Sequence, residues 1–134
     1  MKTYTLFTDG AARGNPGPAG IGVVIRDGTG TIVAEIAEYL GETTNNQAEY
    51  RALLRGLEQA VALGAEGVQV RADSELMVRQ MLGQYKVKHP ELRPLYEQAR
   101  QLVAKVAQFA IQHIPREQNH EADALANRAI DDRS

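Results

Sequence analysis

What most constrains this chain is a change in the spacing of its apolar residues near residue 44. Before that point they lie in strand-like runs joined by short turns. After it they recur at helical spacing, in stretches separated by short strand-like runs. Lys2 to Thr8 alternates polar and apolar side chains, the pattern of a half-buried strand. Ile21 to Arg26 and Thr31 to Leu40 are the next two strands, and Asp27-Gly28 between them is a strong hairpin signal. Asp9 to Gly20, rich in glycine and proline, reads as a loop. Ala48 to Leu63 reads as a helix, with Thr44 or Asn45 able to cap it and Gly64 ending it. A strand over Gly67 to Ala72 and a helix over Ser74 to Leu82 come next, the helix ended by Gly83. Pro90 or Pro94 opens a third helix running to about Val106. Phe109 to Ile114 is the fifth strand, and Asn119 caps a final helix over Glu121 to Ile130. The charged tail Asp131-Asp132-Arg133-Ser134 is expected to fray.

The order βββ-α-β-α-α-β-α leaves few topologies open. Three closely linked strands form an antiparallel meander, and strands separated by helices pair in parallel through right-handed crossovers. The expected fold is α/β, a mixed five-stranded sheet with helices packed on it. With 134 residues and 43% hydrophobic content the chain can fill one core, so residues 1–134 are expected to form a single domain. The absence of cysteine excludes disulfides, thiolate metal sites and a cysteine nucleophile. No apolar run approaches the ~20 residues a membrane span needs, and the first residues enter a strand pattern without an apolar leader. A cytoplasmic protein with no membrane partner is therefore expected.

Four acids occupy the ends of elements. Asp9 follows the first strand, Glu49 lies in the first turn or so of the first helix, Asp73 follows the fourth strand, and Asp123 lies near the start of the last helix. Sites in open α/β sheets form where strand ends and helix starts converge, so the four are candidates for one cluster. Glu49 shares a helical face with Ala52, Leu53, Gly56 and Ala60. That face should meet the sheet and aim the carboxylate inward, which is costly unless a cation meets it. Asp123 shares a face with Ala126, Asn127 and Ile130. Turn and helix-start chemistry is the better account of Asp9, Asp73 and Asp123 taken singly, but does not explain the inward face of Glu49. Spacing alone points to a metal–carboxylate site and names no substrate.

The motifs are more specific. Phe7-Thr8-Asp9-Gly10-Ala11 followed by Gly14-Asn15-Pro16-Gly17-Pro18-Ala19-Gly20 resembles the opening of type 1 ribonuclease H. Thr43-Thr44-Asn45-Asn46-Gln47-Ala48-Glu49 resembles that family's second motif, Ala72-Asp73-Ser74 its third, and Asn119-His120-Glu121-Ala122-Asp123-Ala124-Leu125-Ala126 its fourth. The four come in order and span nearly the whole chain. The resemblance implies the family's fold and an endonuclease that cuts the RNA strand of RNA/DNA hybrids, leaving 5′-phosphate and 3′-hydroxyl ends. It assigns Asp9, Glu49, Asp73 and Asp123 to two Mg²⁺ ions, with Mn²⁺ as the alternative metal; these clamp an in-line displacement at phosphorus. It also implies that Asn15, Asn45 and Asn46 contact the hybrid and that Thr44 holds a DNA-strand phosphate.

The chain departs from the family pattern in places. Many members carry a mobile histidine before the last helix. Here that segment reads Gln112-His113-Ile114-Pro115-Arg116-Glu117-Gln118-Asn119, and His113 stands at a strand end. A subgroup with the Pro-Arg-Glu-x-Asn pattern uses arginine instead, so Arg116 rather than His113 is expected to assist turnover by holding phosphate. Glu75 stands where a Gln often contacts RNA. A long basic protrusion found in some relatives is replaced by Gly83 to Pro90, where Tyr85 can stack on a sugar or base and Lys86 and Lys88 can meet phosphates. With 15 basic and 17 acidic residues the net charge is -2, a weak footprint for a nucleic-acid protein, so modest and salt-sensitive affinity is expected. No obligate protein partner is expected, and the chain should be a monomer. The rival readings are a superfamily nuclease acting on double-stranded RNA or DNA, a non-catalytic nucleic-acid-binding module, and an aspartate-nucleophile phosphotransferase. Asp9-Gly10-Ala11 is not the phosphoaspartate motif that the last of these requires.

Overall fold

Strand β1 (Thr3–Ala12) occupies the middle of a five-stranded sheet ordered β3-β2-β1-β4-β5 in the computed structural model, which describes residues 1–133. β2 (Gly17–Arg26) and β3 (Ile32–Thr43) continue antiparallel from it, and β4 (Gly67–Ala72) and β5 (Gln108–His113) pair in parallel on its other side. The helices are α1 (Asn45–Ala62), α2 (Glu75–Met81), α3 (Arg93–Val103) and α4 (His120–Asp131), with a short 3₁₀ turn at Arg116–Gln118. The expected order of elements and mixed sheet are both present.

The element ends differ from expectation for identifiable reasons. Asp9 to Gly20 is not a loop. Asp9 pairs with Gly22 and Ala12 with Ala19, so β1 and β2 run on to a short tip at residues 13–16. Glycines there read as turn signals, but Gly10 and Gly20 serve close helix packing, as does Gly22 in the strand expected from Ile21. A Cβ on Gly10 would overlap the backbone of Ala48, and one on Gly22 would overlap the Ala122 carbonyl. β3 likewise extends to Thr43. Thr44, not Asn45, caps α1, its hydroxyl accepting from the Gln47 N–H at 3.2 Å. α1 therefore starts at Asn45, and Glu49 falls in its second turn. Ser74 caps α2 in the same way. Pro94, rather than Pro90, lies in the first turn of α3, which ends at Val103.

Asn119 precedes α4 but does not cap it with its side chain. Its amide Nδ2 instead donates to the Thr8 carbonyl at 2.9 Å, tying the start of α4 to β1 beside Asp9. The tail makes contacts as far as Arg133. Asp131 pairs with Arg13 at 2.6 Å, and Arg133 Nη1 donates to the Ile130 carbonyl at 2.8 Å; Ser134 lies outside the described residues.

The main core lies between the sheet and helices α1 and α3. Leu6, Val23, Ile25, Leu53, Leu57 and Val70 are essentially inaccessible there, and each such side chain contributes roughly 1.5–3 kcal/mol of hydrophobic stabilisation. Tyr50 donates its hydroxyl to Gln80 at 2.6 Å inside this layer and so joins α1 to α2. Val23 faces α1, so its neighbour Gly22 faces the opposite side of the sheet. On that side lies α4, with Ala122, Ala126 and Ile130 buried. Among the described residues no helix is long and apolar enough to cross a membrane.

Candidate active site

Four separate elements bring the acids to one end of the sheet. Asp9 lies within β1, three residues before the strand's end, and is 3% exposed. Glu49, 5% exposed, projects from α1 toward β1, where its Oε1 accepts the Gly10 N–H at 2.8 Å. Such an approach needs Gly10, because any side chain there would strike the backbone of α1. Asp73 directly follows β4, as its position in the sequence indicates. One carboxylate oxygen from each of Asp9, Glu49 and Asp73 lies within 4.8 Å of the others. Asp123, in the first turn of α4, is half-buried and stands outside this closest group, near enough for its carboxyl to act on Asp9. The inward face expected for Glu49 is present.

The electrostatics of the cluster are unfavourable without a cation. Burial pushes Asp9 far above its ordinary value, and the charges of Glu49 and Asp73 and hydrogen bonds to Asp123 and Asp73 push it further. Burial also raises Glu49 to about 8, aided by the fields of Asp73 and Asp123 and opposed by the Gly10 N–H and by Arg116. Oδ2 of Asp9 and Oδ2 of Asp73 are both buried without a hydrogen-bond partner. Carboxylates converging within 4.8 Å, two of them with an orphaned oxygen, fit a hard divalent cation, which takes oxygen ligands and relieves the repulsion.

The other expected residues fall into three places. Arg116 lies in the 3₁₀ turn before α4, and its charge acts on Glu49. His113 ends β5, paired with Ala72, and its side chain lines a groove with Glu75, Arg79 and Gln84 on the α2 side. Asn15, Thr44 and Asn46 share a cleft with His89, Glu91 and Leu92. Asn45 is exposed, and its backbone N–H donates to Asn15 Oδ1 at 3.0 Å. Tyr85 and Lys86 line a separate groove with Arg93, Tyr96 and Glu97, and the Arg79 guanidinium lies 5.4 Å from the Tyr85 ring centre. Lys88 is exposed. Glu75 turns to Arg79 at 3.4 Å, an i,i+4 pair on the surface of α2. Sequence reasoning did not bring His89 and Glu91 to the cleft of Asn15 and Thr44, for which no spacing signal exists. It also missed that Arg26 of β2 grips Glu121 at 2.9 Å beside Asp123.

A family model described as "Reverse transcriptase-like" matches residues 7–129. Ribonuclease HI of Halobacterium salinarum is 46% identical over 126 residues, covering 94% of this chain and 63% of that protein. A bifunctional protein of Mycobacterium tuberculosis is 48% identical over 127 residues, covering 94% of this chain but 35% of its own length. This chain thus spans only part of these curated relatives. The crystal structure of the Halobacterium salinarum RNase H1 superposes with a TM-score of 0.95 at 44% identity, over 98% of this chain and 99% of that one. LC11-RNase H1, solved in complex with an RNA/DNA hybrid, superposes at 0.91 with 50% identity over 96% of both chains. With that family model over most of its length and these relatives, this chain belongs to the ribonuclease H family, within the group described as reverse transcriptase-like.

Proposed function

We propose that this chain is an endonuclease that hydrolyses the RNA strand of RNA/DNA hybrids, using Asp9, Glu49, Asp73 and Asp123 to hold two Mg²⁺ ions. The observation that carries this is the cluster itself. Two buried carboxylates and a half-buried one converge, two of their oxygens have no partner, and a fourth acid stands beside them. When bound, Mg²⁺ supplies a nucleophilic water near neutral pH and charge compensation for the leaving 3′-oxygen; Mn²⁺ has the same preference for oxygen ligands. The complex of LC11-RNase H1 with an RNA/DNA hybrid supports the substrate class.

The chain's own residues do the rest. Glu49 is fixed by the Gly10 N–H, so its free oxygen has one direction in which to offer a lone pair. Asn15, Thr44, Asn45 and Asn46 present amides and a hydroxyl at the start of α1, where 2′-hydroxyls and phosphates can be met. Thr44 performs capping as well, through the same oxygen. Tyr85, with Lys86 and Lys88 beside it, offers a ring and two charges to the sugar-phosphate backbone. Residues 1–134 act as one catalytic domain, a monomer in the cytoplasm. Size-exclusion chromatography of the purified chain checks the monomer.

The test is cleavage of matched RNA/DNA, RNA/RNA and DNA/DNA duplexes with and without Mg²⁺. RNA-strand cuts in the hybrid, leaving 5′-phosphates and abolished by chelator, are expected. Preferential cutting of RNA/RNA or DNA/DNA would replace the substrate assignment, and cutting without divalent ions would end the mechanism.

Arg116 acts on Glu49 electrostatically, which supports assigning its guanidinium to hold a scissile or product phosphate. His113 lines a groove beside α2 instead. Arg116→Ala is expected to lower kcat about 10- to 100-fold, the scale of removing one charge-assisted contact. His113→Ala is expected to stay within about twofold of the unaltered chain. Steady-state kinetics of the two variants compare them directly, and equal losses would reverse the assignment.

A further inference from the structure

Asn127 stands one helical turn beyond Asp123 on α4, and its amide meets partners of opposite kind. Nδ2 donates to the Asp123 backbone carbonyl at 3.0 Å and to Oδ1 of the Asp123 carboxylate at 3.3 Å. On the other side, Arg13 Nη2 donates to Asn127 Oδ1 and to its backbone carbonyl, each at 3.4 Å. A guanidinium can only donate and an ionised carboxylate can only accept, so one amide orientation alone satisfies both. Arg13 is itself anchored, its Nη1 lying 2.6 Å from Asp131. Asp123, Asn127 and Asp131 recur every four residues and form one stripe down α4, with Arg13 laid against its lower half.

Arg13 belongs to the tip joining β1 and β2. Two residues on, Asn15 Oδ1 accepts the Asn45 N–H at the start of α1. The tip therefore touches both helices that contribute acids to the cluster. The contacts at 3.3–3.4 Å are long, and those to Arg13 are exposed, so each adds little to stability. Their effect is on direction. Asp123 is half-buried, and a carboxylate without its donor can rotate toward water.

We propose that Asn127 is a positioning residue: with its amide oriented by Arg13, it holds the Asp123 carboxylate toward Asp9 and so sets the affinity of the acidic cluster for its divalent cation. This rests on the assignment of Asp123 as a cation-holding acid. Groups that orient metal-binding side chains typically change metal affinity about 10- to 100-fold when removed.

The experiment is a Mg²⁺ titration followed by amide chemical shifts, with kcat and KM on an RNA/DNA hybrid, for the unaltered chain, Asn127→Ala, Asp123→Asn and the double variant. Asn127→Ala is expected to weaken Mg²⁺ binding about 10-fold, lower kcat at limiting Mg²⁺, and leave KM for the hybrid and the melting temperature nearly unchanged. In the Asp123→Asn background, removing Asn127 should change nothing further. Unaltered Mg²⁺ affinity in Asn127→Ala, or an additional loss in the double variant, overturns the proposal. If Asp123→Asn itself binds Mg²⁺ and cleaves like the unaltered chain, the assignment of Asp123 fails. That outcome is visible without the Asn127 variants, and it removes the proposal too.

Discussion

Asp9→Asn is expected to abolish hybrid cleavage, by ~10³-fold or more, and at the same time to stabilise the cation-free protein at pH 8. Both effects have one cause. Asp9 is 3% exposed beside Glu49 and Asp73, and one of its oxygens has no partner. The amide is isosteric but neutral, so it ends the mutual repulsion while offering the cation a much weaker ligand. Asp9 and Glu49 both have folded-state values raised above the ordinary 3.8 and 4.5, Glu49 to about 8. The folded protein then retains protons that the unfolded chain has already released, and stability falls as pH rises. The benefit is complete below about pH 4 and declines through pH 8 and beyond, by at most ~1.4 kcal/mol per pH unit for each group. Chemical denaturation in chelator at pH 5 and pH 8 should show the unaltered chain weakened at the higher pH. Asp9→Asn should lie about 2–4 kcal/mol above it there, an order-of-magnitude figure for relieving buried like charges. Adding Mg²⁺ should stabilise the unaltered chain far more than the variant. A variant that is less stable than the unaltered chain at pH 8 would mean that the acids are not repelling one another.

Gly22→Ala carries the second large effect, and it acts on geometry with no change of charge. Gly22 pairs with Asp9 across β1 and β2, directly beneath α4. A methyl group there would overlap the Ala122 carbonyl and lie 2.7 Å from the Ala126 nitrogen and 2.9 Å from the Leu125 Cβ. All three atoms belong to a helix that also packs Ala126 and Ile130 against the sheet, so none is the free end of a flexible side chain. α4 must move outward by about an ångström or more, and Asp123 moves with it. Misplacing a catalytic group on that scale costs ~10²-fold in rate, and overpacking costs about 1–3 kcal/mol of stability. Gly28, in the β2–β3 turn, has no atom within 4 Å of such a methyl group, so Gly28→Ala is the matched control and should behave like the unaltered chain. Hybrid cleavage at saturating Mg²⁺ together with urea denaturation measures both effects. If Gly22→Ala kept full rate and stability, α4 could not approach β2 as closely as described.

Element order, sheet class and the four acids were legible in the sequence because they depend on local periodicity and on charges placed at element ends. Hydrophobic spacing fixes which face of α1 is buried, and that alone aimed Glu49 inward. The errors cluster where a residue's role depends on its neighbour in space. Asp9 to Gly20 looked like a loop because glycine and proline usually signal turns, but Gly10 and Gly20 are in strands, small so that two helices can come close. Asn119 looked like a cap, but its amide is drawn to the Thr8 carbonyl 111 positions away. Nothing near Asp131 in the sequence signals its ion pair with Arg13, at the far end of the chain.

The order of apolar and acidic residues thus determined, on its own, that a mixed sheet would form with carboxylates at its end. Tertiary structure decided which three acids approach most closely, that Asp123 stands beside them with Asn127 as its donor, and that Arg116 acts on Glu49 while His113 lines a different groove. The physical reason is range. Periodicity and capping act over a few residues along the chain, whereas burial, like-charge repulsion and close packing act between atoms that only folding brings together.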